Sequence, residues 1–81
     1  MTINERLKNI MIQHNHQISE AQISSETNII EDLGMDSLQW MLIIIEVETE
    51  FGIQLDDELM LMEDLTVVGK LEKVIERLLS K

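Results

Sequence analysis

Hydrophobic residues recur every three or four positions near the start of the chain, a spacing that is typical of amphipathic helices. This stripe consists of Ile3, Leu7, Ile10, Met11 and His14. Thr2 and Glu5 have the spacing of a capping box, in which a threonine hydroxyl and a glutamate satisfy free backbone N–H groups. The pattern predicts a first helix from about Ile3 to Asn15.

A similar amphipathic pattern occupies the end of the chain, where Thr66 is the predicted cap. Its apolar stripe consists of Val67, Leu71, Val74, Ile75, Leu78 and Leu79. Basic residues stand opposite this stripe or at its end, namely Lys70, Lys73, Arg77 and Lys81. This separation predicts a last helix with one face on the core and the other in solvent.

The strongest helical pattern runs from Ser37 to Phe51, with Asp36 as the predicted cap and Gly52 as the terminator. On a helical wheel of about 100° per residue, its apolar residues form two stripes on nearly opposite sides. The inner stripe, which we expect to face the core, consists of Trp40, Ile43, Ile44, Val47 and Phe51. The outer stripe consists of Leu38, Met41, Leu42 and Ile45, bordered by Gln39, Glu46 and Glu50 on one side and Glu48 on the other.

One packed bundle cannot easily bury both stripes of this helix. Either the short third helix or the long first loop covers part of the outer stripe, or the stripe remains exposed. An exposed apolar stripe with a border of carboxylates is typical of a protein-docking surface.

Between the first two helices, from His16 to Asp36, the helical period is lost although apolar residues remain. These are Ile18, Ile23, Ile29, Ile30 and Leu33. A loop of this length is uncommon in a compact domain and is often functional, although a single turn near Glu31–Leu33 could interrupt it. Acidic residues 56–58 then precede a short apolar run, residues 59–62, which predicts a third helix of one or two turns. The sequence therefore predicts an all-α four-helix bundle with a long loop between helices 1 and 2 and a short third helix.

Composition limits the classes of function. The 81 residues, 44% of them hydrophobic, are expected to form a single domain over residues 1–81. With no cysteine, no leader segment and no membrane-length apolar run, we expect a cytoplasmic protein. The formal net charge of −10 makes nucleic acids and anionic membranes poor partners. All Lys and Arg residues lie outside residues 9–69, so this span is either a solvated acidic face or a surface that steers a basic partner.

The acidic and histidine residues do not have the spacing of a metal site. The loops around residues 32–36 and 56–58 lack the alternating ligands of a calcium-binding EF-hand. His14 and His16 are two residues apart, so on one helix they point in different directions. We therefore expect no metal site and assign both histidines structural roles.

Ser37 is the candidate functional residue. A serine at a helix start is usually a cap, but Asp36 already holds the predicted cap position. Gly34 allows a close approach, and Ser37 adjoins the outer stripe. No histidine is near in sequence to act as a base, so a self-sufficient hydrolase is unsupported. Ser37 is better interpreted as a point of attachment.

The motif Glu31-Asp32-Leu33-Gly34-Met35-Asp36-Ser37-Leu38, followed by a helix that ends in Glu50-Phe51-Gly52-Ile53, resembles the phosphopantetheine attachment site of acyl carrier proteins. The resemblance covers residues 29–79 well and the first helix by pattern only. It implies a carrier that is not an enzyme. It also implies that a phosphopantetheinyl transferase reads Asp36 and Leu38 and transfers 4′-phosphopantetheine from coenzyme A to Ser37. The thiol of this arm carries acyl, aminoacyl or ketide groups as thioesters in fatty-acid, polyketide or related biosynthesis.

The resemblance further implies partners, namely acyltransferases, ligases and synthases with basic docking surfaces, and a monomeric carrier. The expected contact residues are Leu38, Met41, Leu42 and Ile45, with Glu46, Glu48 and Glu50 as a charged rim. Gln39 and Leu42 stand where fatty-acid carriers typically have acidic residues, and Trp40 stands where a small polar residue is usual. A carrier of short or polar groups, for a polyketide, peptide or aminoacyl pathway, is thus as plausible as a fatty-acid carrier. The alternative is an unmodified small acidic adaptor that binds partners through its second helix.

Overall fold

A computed structural model describes residues 2–62 and 65–80, except for the side chains of Leu61 and Met62. It contains four helices: α1 (Ile3–His14), α2 (Ser37–Phe51), α3 (Asp57–Met62) and α4 (Val68–Leu79), with a 3-10 turn at Glu20–Gln22. The predicted all-α four-helix bundle, with its long first loop and short third helix, is confirmed. None of the helices in this described part of the chain is long and apolar enough to cross a membrane.

Helix α1 begins as the capping pattern predicts. The Glu5 backbone N–H donates to the Thr2 hydroxyl over 3.1 Å, and that hydroxyl contacts the Glu5 carboxylate over 3.1 Å. The helix ends at His14, one residue earlier than predicted, because Asn15 has an extended backbone. The Asn15 side chain instead accepts a hydrogen bond from the Gln17 N–H, a local turn that competes with helix continuation.

Helix α2 has the predicted bounds at both ends. The Asp36 carboxylate accepts a hydrogen bond from the Gln39 N–H over 2.8 Å, which satisfies a free donor of the first turn. Gly52 adopts the left-handed conformation, with φ of 66°, and the Ile53 N–H donates to the Glu48 carbonyl over 3.1 Å. This arrangement closes the helix in the manner of a Schellman cap.

A single hydrophobic core joins α1, α2, α4 and the long loop. The inner stripe of α2 is buried throughout, as predicted. The other helices contribute Leu7, Ile10 and Met11 from α1 and Val68, Leu71, Val74 and Ile75 from α4. The loop contributes Ile18, Ile23, Ile29 and Met35, whereas Ile30 and Leu33 are half-buried. The long loop is therefore attached to the core by its own side chains.

The start of α4 differs from the prediction. Thr66 is not its cap, because the helix begins at Val68 with Val67 in the cap position and with no side-chain cap. Carbonyl groups of the long loop fill this role instead. The Val68 N–H donates to the Thr27 carbonyl over 3.0 Å, and the Gly69 N–H donates to the Ser25 carbonyl over 2.8 Å.

Thr66 contributes to the same junction in another way. Its carbonyl accepts from the Ile29 N–H over 2.7 Å, and its hydroxyl accepts from the Asn28 side chain over 3.1 Å. Together with the α4 bonds, these contacts hold the long loop against the start of α4. A cap supplied by a distant loop leaves no local sequence signal, which explains the wrong prediction.

The apolar stripe of α4 is partly different as well. Leu71, Val74 and Ile75 are buried as predicted, but Leu79, the last helical residue, is 45% exposed. Val68, which the predicted stripe omitted, is fully buried where the loop joins the helix. The predicted basic residue Lys81 lies outside the described residues.

Candidate attachment site

Ser37 is the first residue of α2, and its side chain is exposed. Asp36 supplies the helix cap, as predicted, so the Ser37 hydroxyl is not used for this purpose. Within the described residues, no group forms a hydrogen bond with this hydroxyl. The structure therefore presents a primary alcohol to solvent at the start of a fifteen-residue helix.

The backbone around Ser37 suits a bound phosphate. The Asp36 carboxylate accepts a hydrogen bond from the Gln39 N–H, but the N–H groups of Ser37 and Leu38 have no acceptor among the described residues. Free N–H groups and the helix dipole make a helix N-terminus favourable for an anion. A phosphodiester on the Ser37 oxygen would place its charged oxygens close to these donors. The residues present thus fit the group that the resemblance implies.

The chain turns sharply just before the serine. Gly34 has a φ of 68°, which side-chain-bearing residues rarely adopt, although a Cβ there would meet nothing within 4 Å. Met35 then inserts its side chain into the core, with 2% of it exposed. Because Met35 precedes the cap and Trp40 is the fourth helical residue, the two occupy the positions of a hydrophobic staple. Both side chains are buried in the same core, an arrangement that favours a fixed entry of the chain into α2, and Ser37 stays exposed.

Asn28 organises the loop that leads to this turn. Its side-chain oxygen accepts from the N–H groups of Ile30 and Glu31, over 3.0 and 2.9 Å. Its own backbone N–H donates to the Asp32 carboxylate over 2.8 Å, and the Asp32 N–H donates to the Asn28 carbonyl over 2.8 Å. The turn predicted near Glu31–Leu33 is therefore present. Sequence reasoning missed the core position of Met35, for which the signal was an apolar residue ahead of a cap.

The outer stripe of α2 is exposed along its length. The exposed fractions are 69% for Leu38, 47% for Met41, 44% for Leu42 and 54% for Ile45. Neither the long loop nor α3 buries these side chains. The stripe starts next to Ser37 and continues along the same helix, so an enzyme acting at Ser37 could contact both.

Glu50, on the border of the outer stripe, is paired with Arg6 of α1. The Arg6 Nε donates to the Glu50 carboxylate over 2.9 Å, and Nη2 lies 2.8 Å from the same oxygen. The Nη2 group also donates to the Glu50 backbone carbonyl over 2.9 Å. The guanidinium lies 4.3 Å from the ring centroid of Phe51. Arg6 thus satisfies one of the free carbonyls at the end of α2 and covers a core aromatic.

The other two border carboxylates also contact groups of this chain. The Glu46 carboxylate lies 3.3 Å from His14 Nε2 at the end of α1. The Glu48 carboxylate accepts from the Leu55 N–H over 2.8 Å, beyond the end of α2. Of the three carboxylates that the sequence suggested as a partner rim, Glu48 and Glu50 therefore also hold α2 in place, whereas Glu46 makes no hydrogen bond to His14. Within residues 2–62 and 65–80, no group of three His, Cys, Asp or Glu side chains could hold a metal ion.

Comparison with known proteins identifies the family. The family model for the phosphopantetheine attachment site matches residues 5–75, which include most of α1 as well as the serine motif. An acyl carrier protein of Thermotoga maritima is 35% identical over 63 residues, which are 78% of this chain and 75% of that protein. The chain belongs to the acyl carrier protein family. Members of this family are carriers rather than enzymes, and their cofactor is phosphopantetheine.

Proposed function

We propose that this chain carries an acyl, aminoacyl or ketide group as a thioester on a 4′-phosphopantetheine arm attached to Ser37. The exposed hydroxyl at the start of α2, which has no partner among the described residues, is the observation that supports this assignment. It lies inside the segment that matches the family model. The arm supplies a thiol, and its tether keeps the cargo at high effective concentration near a docked enzyme.

Attachment requires the Ser37 oxygen to act as a nucleophile toward the pantetheine-bearing phosphorus of coenzyme A. The new bond joins the serine oxygen to this phosphorus, the bond to the bridging pyrophosphate oxygen breaks, and the adenosine 3′,5′-bisphosphate part leaves. The hydroxyl proton needs an acceptor. Within the described residues, no histidine or lysine contacts Ser37, so the phosphopantetheinyl transferase must supply this base.

Residues beside Ser37 prepare the site for this transfer. Asp36 holds the first turn of α2 closed through its bond to the Gln39 N–H. The free N–H groups of Ser37 and Leu38 would stabilise the phosphodiester charge once it forms. Leu38 is the most exposed of the described large apolar residues, at 69%, and offers the transferase an apolar contact adjacent to the nucleophile. We assign Asp36 and Leu38 as the residues that the transferase recognises.

The outer stripe of α2 is the proposed docking surface for enzymes that load or receive the cargo, such as acyltransferases, ligases and synthases. Leu38, Met41, Leu42 and Ile45 would provide the apolar contacts. Glu46 and Glu50 keep 40% and 45% of their side chains exposed despite their internal partners, and with Glu48 they would form the rim. A formal net charge of −10 favours partners with basic surfaces.

The pathway is proposed only by class. Gln39 and Leu42 make the docking surface less acidic than is typical for fatty-acid carriers, which supports a polyketide, peptide or aminoacyl pathway at least as well as fatty-acid synthesis. We propose a monomeric cytoplasmic carrier in which residues 1–81 act as one domain. The single core of the described residues supports this unit.

Intact mass spectrometry tests the proposal. The purified protein is incubated with coenzyme A, Mg²⁺ and a promiscuous phosphopantetheinyl transferase. A gain equal to one phosphopantetheine, located on the peptide that contains Ser37, is expected. An unmodified chain under conditions that fully modify a reference carrier would instead favour the alternative, a small acidic adaptor that binds partners through α2.

A further inference from the structure

Trp40 lies close to the attachment point. It follows Ser37 by three residues, which places it about 4.5 Å further along the helix axis. Its side chain belongs to the inner stripe of α2, and only 8% of the residue is exposed. The largest side chain of the chain therefore fills the interior under the first turn of α2.

The described residues that flank Trp40 on the inner side of the chain are buried. At most 2% is exposed of each of four neighbouring residues, namely Met35 ahead of Trp40 and Ile43, Ile44 and Val47 after it. An acyl chain attached through Ser37 would be stabilised if its methylene groups left water for an apolar interior. The interior nearest to Ser37 is the one that Trp40 occupies. Forcing extra methylene groups into such a packed region displaces side chains and destabilises the fold.

Two clefts that are lined by described residues are poor alternatives for a hydrocarbon. The larger, of about 360 Å³, lies between α3 and α4, and its apolar residues Leu59, Val74 and Leu78 share it with Asp56, Glu58 and Arg77. The smaller, of about 190 Å³, lies between α1 and α2 and contains Arg6, Glu46 and Glu50. Filling either cleft with an alkyl chain would remove water from charged groups at a high cost. Trp40 lines neither cleft.

From this arrangement we propose that Trp40 excludes the acyl chain from the bundle, so that this carrier is specific for short or polar acyl groups that remain outside the core. The proposal rests on attachment at Ser37. It makes Trp40 a determinant of cargo specificity that touches neither the arm's phosphate nor the docking partner.

The test compares thermal unfolding of the wild-type protein bearing different cargo. A promiscuous phosphopantetheinyl transferase loads it from coenzyme A or from the butyryl, octanoyl and palmitoyl thioesters of coenzyme A, and intact mass confirms each product. We expect the midpoints of all four forms to agree within about 2 °C, since a buried chain would add stability and shift the midpoint by more. A midpoint that rises steadily with chain length in the wild-type protein would overturn the proposal.

Two matched variants locate the effect. Trp40→Thr opens the interior beside Ser37, whereas Phe51→Thr removes an aromatic from the same inner stripe, about 21 Å from Ser37 along the axis. Each loaded variant is compared with its own arm-only form. We expect the palmitoyl group to raise the midpoint of Trp40→Thr by about 5 °C or more and to leave that of Phe51→Thr unchanged. Trp40→Leu replaces Trp40→Thr if the latter does not fold, with a smaller expected rise.

The outcomes separate this proposal from the proposed function. Equal gains in the Trp40 and Phe51 variants, or no gain in any folded Trp40 variant, would contradict the role of Trp40 while leaving attachment at Ser37 intact. If the chain never gains the mass of the arm, the proposed function is contradicted. This inference is then contradicted as well, because it depends on attachment at Ser37.

Discussion

Arg6 reaches from α1 to the last turn of α2 and binds Glu50 twice, through its carboxylate over 2.9 Å and through its backbone carbonyl over 2.9 Å. The same guanidinium lies over the Phe51 ring. Helix α2 is thus held at its C-terminal end by α1 and at its N-terminal end by the Met35 and Trp40 side chains in the core. The helix that presents both Ser37 and the outer stripe is fixed at both ends.

Arg6→Lys should destabilise the protein even though it keeps the charge. A lysine ammonium cannot reproduce the planar, divergent donors that reach the Glu50 carboxylate and carbonyl, nor the stacking on Phe51. The pair is partly exposed, so we expect a loss of only about 0.5–1 kcal/mol in the free energy of unfolding, measured by urea denaturation. Lys8→Arg, on the same helix, is the control and should have no effect. Equal stability of Arg6→Lys and wild type would show that the contact contributes nothing.

Gly69→Ala should destabilise the protein although alanine is the better helix former. A Cβ on Gly69 would lie 2.7 Å from the Ser25 carbonyl oxygen, closer than real Cβ atoms approach a backbone atom. Relief requires the long loop to move away from α4, which would weaken the Gly69–Ser25 hydrogen bond. We expect a net loss of about 1–3 kcal/mol by urea denaturation. Lys70→Ala, at the exposed neighbouring position, should stay close to wild type, and a Gly69→Ala protein more stable than wild type would contradict the close packing.

The helices and both stripes of α2 could be predicted because they depend on spacing along one segment. A helical wheel assigns Trp40 and Val47 to one side and Leu38 and Ile45 to the other without any knowledge of the other helices. Asp36 could be predicted as a cap for the same reason, since its partner Gln39 is three residues away.

Contacts between distant segments could not be predicted in this way. The cap of α4 comes from carbonyls of Ser25 and Thr27, some forty residues earlier in the chain, so Thr66 was wrongly assigned. The pairing of Glu50 with Arg6 likewise depends on how α1 crosses α2. The sequence pattern of a carboxylate on a helix border is the same whether the side chain faces a partner protein or another helix of its own chain.

Ser37→Ala should abolish attachment of the arm and leave the fold intact. The Ser37 hydroxyl has no protein partner among the described residues, so its loss should change the free energy of unfolding by less than about 0.5 kcal/mol. Intact mass after incubation with coenzyme A and transferase measures attachment, and circular dichroism checks the fold. Ser19→Ala, at another exposed serine ahead of a helical turn, should still gain the arm. Modification of the Ser37→Ala protein would show that the arm is attached elsewhere.

Substitutions of Asp36 should separate its structural and recognition roles. Asparagine caps helices about as well as aspartate, so Asp36→Asn should retain stability, whereas Asp36→Ala should lose about 1 kcal/mol. If the transferase reads the carboxylate, both variants should be modified more slowly, as measured by the initial rate of mass gain. A normal rate for Asp36→Asn combined with a slow rate for Asp36→Ala would instead indicate that only the cap matters.

Leu42→Glu should weaken docking without unfolding the protein. Leu42 lies within the outer stripe and is 44% exposed, so a carboxylate there stays in water in the free carrier but would enter an apolar contact in the complex. An apolar anchor is worth about 1–2 kcal/mol, so kcat/KM for the transferase should fall about tenfold. Lys73→Gln makes the same change in net charge on exposed α4 and serves as the control. Raising the salt concentration should slow every variant because it screens the attraction between the acidic carrier and basic enzymes. It should leave the ratio between Leu42→Glu and the Lys73→Gln control, which have the same net charge, unchanged if the lost contact is apolar. Wild-type rates for Leu42→Glu with the transferase and with every loading enzyme would show that the outer stripe is not the docking surface.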